Sequence, residues 1–326
     1  MKNILIALLT LVMIVSCDEG KNANHRILSN SSGNLNSLQI VSANADWEGA
    51  IGEEIRDIFA APVDGLPQPE PLFTIKQMPT KVFSGFATSS RTILKIEKGK
   101  EAGIKVAEDP FARPQKMVVV RGMNNEEVIQ QLRDNKQRII ATFKNADIQE
   151  KLRRISKSLH SKNNIEKNFG LSIKFPSAYR IAMDDEDFTW IRKDIRTGTM
   201  DLMIYELPFN AIKRNDSTIR EIIKMRDSIG KTHIPGEKEG SYMQTEKAFS
   251  PSLFETIIDN KPALETKGTW DIKDGAFMAG PFINYIIEDE INDRLVVLEG
   301  YVFAPSVQKR DYMFELEAII KSVKIK

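Results

Sequence analysis

The residues able to do chemistry are few and scattered. The chain has one thiol, Cys17, and three histidines, His25, His160 and His233, in 326 residues. No two histidines stand at the i, i+4 spacing that places two zinc ligands on one helix face, so no metal site is expected. Asp184 to Asp187 gathers four carboxylates, but without the alternating oxygens and turn glycine of a calcium loop. The chain contains no G-x-S-x-G elbow for acyl transfer and no glycine-rich phosphate cradle. No cofactor is expected. Carboxylates need only spatial proximity to act as acid and base. Asp64, Glu70 and Asp109, all in loops, therefore keep open an envelope hydrolase as an alternative.

The residue types suited to recognition are Trp47, Asp64, Phe111 and Arg113. Asp64, Phe111 and Arg113 sit in two proline-bounded loops, PVDGLPQPEP and DPFARPQ. Proline lowers the entropy of a loop, aromatic residues serve as anchors, and an arginine presents a planar fork of donors. The competing role for the aromatics is to pack these loops onto the core.

Cys17 ends an apolar run, Ile4 to Val15, that follows Lys2. The run has the length of a signal-peptide core and falls short of the about 20 residues that span a bilayer. Ile14-Val15-Ser16-Cys17 resembles the lipobox of bacterial lipoproteins. That resemblance implies cleavage before Cys17, acylation of its thiol and amino group, and a membrane partner reached through the lipid. It also implies the envelope of a diderm bacterium, the outer membrane above all, with the protein facing the periplasm or the cell surface. Loss of Lys2 would bring Lys+Arg level with the 45 Asp+Glu. A balanced chain argues against nucleic acid as a partner. The expected division is a signal peptide at 1–16, a tether at 17–36, an N-terminal α+β domain at 37–165 and a C-terminal α+β domain at 166–326.

Local patterns supply the elements that must position these residues. Strands are expected at Leu38–Val41, Leu72–Ile75, Thr92–Ile96 and Met117–Val120. A helix capped by Asp46 runs through Ile51, Ile55 and Phe59. A longer helical pattern from Asn124 to Leu159 exceeds 25 residues, with a break expected at Asn145-Ala146-Asp147. It carries a basic face of Lys151, Arg153, Arg154, Lys157 and Lys162. In the second half, alternation marks Gly170 to Pro176 as a strand with one buried face, and further strands are expected at Phe188–Ile191, Met200–Tyr205, Thr269–Ile272, Phe282–Ile287 and Leu295–Phe303. Helices are expected at Asp216–Ser228 and Ser306–Ser322. The class is α+β, with two α/β sandwich-like domains and mainly antiparallel sheets.

The strand Leu171-Ser172-Ile173-Lys174-Phe175-Pro176, the middle helix and a last helix ending Leu316-Glu317-Ala318-Ile319-Ile320-Lys321-Ser322-Val323 resemble the PsbP/Mog1-like α-β-α sandwich. Trp47-Glu48-Gly49, the two proline loops and Arg153-Arg154-Ile155-Ser156-Lys157-Ser158-Leu159 resemble a family of Bacteroidota lipoproteins of unknown function. PsbP/Mog1-like domains generally bind proteins. The resemblance therefore implies a non-catalytic binding or assembly module with an envelope protein partner. A periplasmic carrier of an apolar ligand is a further alternative.

Overall fold

The run Met117 to Val120 is apolar without interruption, the pattern of a strand covered on both faces. In the computed structural model, which describes residues 28–161 and 163–326, that run lies inside a five-stranded sheet. Its strands are β1 (Ser37–Val41), β2 (Thr74–Met78), β3 (Thr92–Lys98), β4 (Gly103–Glu108) and β5 (Lys116–Gly122), in the order β2-β1-β3-β5-β4. β1 pairs in parallel with β2 and β3, β3 in parallel with β5, and only β4 runs antiparallel. Long crossovers make this possible: α1 (Asn44–Glu48) and α2 (Ala50–Phe59) intervene between β1 and β2. One face of the sheet packs on α2, α3 (Asn125–Asp134) and the start of α4 (Lys136–Ile155), through Ile55, Phe59, Leu94, Val120, Leu132 and Phe143.

The second sheet is antiparallel throughout. It comprises β6 (Arg180–Asp184), β7 (Phe188–Ile195), β8 (Gly198–Pro208), β9 (Tyr242–Thr245), β10 (Ser252–Ile258), β11 (Lys261–Lys273), β12 (Ala279–Asp289) and β13 (Arg294–Phe303). The order is β9-β11-β12-β13-β8-β7-β6, with β10 also pairing with β11. Helix α5 (Thr218–His233) covers one face, over Met203, Phe282 and Val297. Helix α6 (Arg310–Ile320) covers the other, over Leu202, Ile283 and Leu298. The result is an α-β-α sandwich, and the α+β class stands. Antiparallel pairing dominates the molecule; the parallel exceptions are in the first sheet and in the short pairing of Ser29–Asn30 with Ala112–Arg113.

Every residue from Met313 to Ile320 is buried, because α6 is covered on both sides. Phe314 and Ala318 pack against Ile148 and Leu152 of α4. Two buried glutamates on α6 take cations from α4: Lys144 Nζ lies 3.3 Å from Glu317, and Lys151 Nζ lies 2.5 Å from Glu315. Burial alone would raise the Glu317 carboxyl, but Lys144, Lys321 and Lys267 hold it well below the usual range.

Several local expectations are corrected. The long helical pattern breaks at Asn135, whose side-chain amide donates to the Gln131 carbonyl, and not at Asn145-Ala146-Asp147. Asp147 is fully buried, so its turn-forming tendency yields to tertiary bonds. Asp46 is no cap: it lies inside α1 and pairs with Lys98 at 2.5 Å. Strands β4, β6 and β10 had no expectation; they are largely exposed or half-buried, so no apolar face is kept along them.

Candidate functional site

The turn joining β4 to β5 is organised by Gln115, which is 1% exposed. Its side-chain oxygen accepts from the N–H groups of Phe111 and Ala112, and its amide donates to the carbonyls of Thr88 and Ser90. Asp109, at φ +50°, accepts the Gln115 N–H at 2.7 Å and pairs with Arg113 Nε at 3.3 Å. With its base fixed in this way, Arg113 points outward, its side chain 78% exposed.

Facing that turn is α4. Between them lies an open cleft of about 730 Å³. Its lining carries the cations Arg91, Arg113, Lys116, Arg138 and Arg153, against the carboxylates Glu108, Asp109 and Glu150. Lys116 pairs with Glu108 at 2.8 Å. Arg153 grips Glu150 with both sides of its fork, at 2.7 and 2.9 Å, and this pairing above all holds the Glu150 carboxyl down to about 2. Arg138 has no side-chain partner among the described residues. Arg91 is only 4% exposed; its guanidinium donates to Gly33 O at 2.9 Å and to Asp147 at 3.3 Å. Its Nε is buried with no partner among the described residues. Burial pushes Asp147 up to about 6, although the Asn36 N–H and Arg91 both favour its charged form. Guanidinium groups from three different elements, facing one open space, are suited to holding an oxyanion.

Of the residues expected at a binding surface, only Arg113 lines this cleft. Phe111 packs edge-to-face on Phe83, with ring centroids 5.6 Å apart, and so fastens the turn to the core. Trp47 is half-buried beneath Arg56, whose guanidinium carbon lies 4.8 Å from the ring centre. It follows the C-terminal end of β1, whereas Arg113 precedes the start of the parallel strand β5. The length of that strand, roughly 20 Å, separates them.

Asp64 belongs to a different place. The loop 63–66 lies on β11 and closes a cavity of about 40 Å³ with Lys144, Lys267, Arg310 and Glu317. Gly65 is needed there: at φ +78°, a Cβ on it would stand 2.8 Å from Lys267 Cβ and 2.9 Å from Gly268 N. Glu70, from the same proline loop, is buried, and its two oxygens accept the N–H groups of Lys309 (2.7 Å) and Arg310 (3.0 Å) at the start of α6. The first proline loop thus fastens the two halves together. The three carboxylates considered for hydrolysis have separate tasks: Glu70 caps a helix, Asp109 shapes a turn and Asp64 lines a small cavity.

The remaining candidates are structural in the same way. His160 stacks on Phe175 and His233 on Phe188, at 4.9 and 3.9 Å between centroids. The Asp184 carboxylate accepts from the Asn164 amide, and the Asp185 backbone carbonyl accepts from the Asn168 amide. Among the described residues no three metal-ligating side chains converge, and no helix is long and apolar enough to cross a membrane. Cys17, His25 and Lys162 lie outside the described residues. Sequence reasoning missed Arg91 and Arg138. It noticed Arg153 only as part of a basic helix face, because nothing local announces that β3, β5 and α4 meet.

A family model described as Domain of unknown function (DUF4837) matches residues 158–322. The chain belongs to that family. A second model, Domain of unknown function (DUF8532), matches residues 31–156, the part of this DUF4837 member that holds the cleft. No curated protein matches the chain. Among solved structures, the Ran-binding protein Mog1p of Saccharomyces cerevisiae is similar at 9% identity and TM-score 0.34, over 52% of this chain and 96% of its own. Cyanobacterial PsbP (CyanoP) from Synechocystis sp. PCC 6803 is similar at 11% identity and TM-score 0.34, over 52% of this chain and 93% of its own. LpqN, involved in cell envelope biogenesis of Mycobacterium tuberculosis, is similar at 12% identity and TM-score 0.26, over 47% of this chain and 82% of its own. The layered architecture rests on the strand order and helix packing described above.

Proposed function

We propose that this DUF4837 member is a lipid-anchored protein of the cell envelope, acylated at Cys17 and held at the outer membrane, that binds a partner without catalysing a reaction. The observation that carries the reading is the cleft of about 730 Å³ with a nearly buried arginine at its floor and exposed arginines at its rim. The employment of Glu70 and Asp109 in holding backbone supports binding over hydrolysis. The cavity closed by the loop 63–66 against Glu317 holds only about 40 Å³, too little for an apolar cargo. The lipobox-like Ile14-Val15-Ser16-Cys17 supports the anchor.

Two experiments test this. Fractionation of cells expressing Cys17→Ala should find the protein released from membranes, and unchanged retention refutes the anchor. Affinity capture from solubilised envelopes should lose its specific partners with Arg113→Ala while Trp47→Ala keeps them; identical capture by Arg113→Ala refutes the site.

A further inference from the structure

The cleft has a second property that bears on what it holds. Ser29 and Asn30 pair in parallel with Ala112 and Arg113, and the Ser31 N–H donates to the Arg113 carbonyl at 3.0 Å. The chain therefore joins the folded body beside the arginine rim. Ser29 stands 12 positions after Cys17. A polypeptide of that length reaches at most roughly 40 Å, whatever its conformation. If Cys17 carries the lipid, the cleft is confined to a shell of that depth above the headgroups.

The chemistry fits what that shell contains. The rim arginines Arg113 and Arg138 are exposed, and Arg138 has no partner among the described residues. The floor is Arg91, nine-tenths buried, with its Nε unsatisfied. That nitrogen is closed off from solvent, so Arg91 contributes positive charge at the floor, and the donors open to a ligand are those of the rim. Glu150 and Glu108 are taken by Arg153 and Lys116, and Asp109 meets Arg113 only at Nε, 3.3 Å away, which leaves the two terminal nitrogens of that fork without a partner among the described residues. Arginine forks match the paired oxygens of a phosphate better than the point charge of a lysine does.

We propose that the arginine cleft is a phosphate site and that its occupant is the phosphate of an anionic phospholipid in the anchoring leaflet. The assignment rests on the binding reading given above. An occupied cleft would orient the folded body on the membrane, with the β4–β5 turn facing the headgroups and the second sheet held away from them.

The test uses the full chain with Cys17→Ala, so that no acyl chain masks the effect, alone and with Arg113→Ala/Arg138→Ala added. Both added positions are exposed, and matching circular dichroism and thermal unfolding should show that the fold is kept. The probes are inorganic phosphate and vesicles of phosphatidylcholine with and without phosphatidylglycerol. Each arginine near an anionic surface is worth about fivefold in affinity, so the double substitution should cost roughly 25-fold of the gain that phosphatidylglycerol gives. Equal binding of both proteins to the anionic vesicles overturns the proposal. Tight, arginine-dependent binding of inorganic phosphate with no gain from phosphatidylglycerol overturns the headgroup as occupant and leaves a soluble phosphate compound in its place. If neither probe binds while Arg113→Ala still loses its captured partners, the phosphate assignment falls and the binding reading survives.

Discussion

Removing the Glu70 carboxylate tests whether the first proline loop is a strut between the two halves. In Glu70→Ala, the Lys309 and Arg310 N–H groups at the start of α6 lose their acceptors, 2.7 and 3.0 Å away in the native protein. Loss of a side-chain cap costs about 0.5–2 kcal/mol. Leaving a buried donor unsatisfied costs about 1–3 kcal/mol, and Lys309 is only 7% exposed. The two overlap, since the same donors are counted in both, so the expected loss is about 2–3 kcal/mol. Glu70→Gln keeps one acceptor oxygen but not the charge that favours a helix N-terminus, and should lose about 1 kcal/mol. Urea unfolding followed by circular dichroism reads this directly. With a slope of about 3 kcal/mol per molar, the alanine variant should unfold at roughly 0.7–1 M less urea. A midpoint coincident with wild type would refute the strut.

Three other outcomes follow from buried groups. Asp147 has its folded pKa raised from 3.8 to about 6, so the folded state binds more protons than the unfolded state between those values. Its contribution to stability is present below about pH 4 and is lost as pH rises through 6, by about 3 kcal/mol. The deficit of Asp147→Asn relative to wild type should therefore shrink by that amount from pH 4 to pH 7, and a pH-independent deficit contradicts the burial. Gly65→Ala should lower stability by more than about 2 kcal/mol by thermal unfolding, because it combines left-handed backbone with overlap against β11; a neutral effect means the loop does not lie there. Arg226 and Glu299 form a buried pair at 2.6 Å, with Arg226 also 3.3 Å above Phe282. Glu299→Leu alone should cost about 3–5 kcal/mol, while Arg226→Met/Glu299→Leu should cost less than either single change; additive losses in urea unfolding would contradict this.

Much of the second half was legible, because the apolar runs at Met200–Tyr205 and Leu295–Phe303 belong to strands buried on both faces, and hairpin partners such as β7 and β8 follow one another directly. The parallel pairing of β1, β3 and β5 was not legible, because register between strands far apart in sequence leaves no local pattern. Asn145-Ala146-Asp147 reads as a turn, yet Asp147 spends its carboxylate on the Asn36 N–H, 111 positions away. Phe111 and Trp47 read equally well as anchors for a partner and as fasteners for a loop, and only their packing partners decide for the fastener. The cleft was the least legible feature. Arg113 was noticed for its loop, but Arg91, Arg138 and Arg153 come from a strand edge and two turns of one helix, and only tertiary structure collects them.

The position of α6 has a consequence for how the molecule is made. This helix, starting at residue 310, is the surface on which both halves close, and its cap comes from residue 70. During synthesis the apolar stripe of α4 around Ile148 and Leu152, and the sheet face around Leu202 and Leu298, must wait for it. Contacts spanning that much sequence form slowly, and exposed apolar faces invite association while they wait. A nascent chain stopped before residue 310 would leave the α4 stripe and one whole face of the second sheet uncovered at once, so chaperones and proteases would see neither half as finished until the last helix arrived.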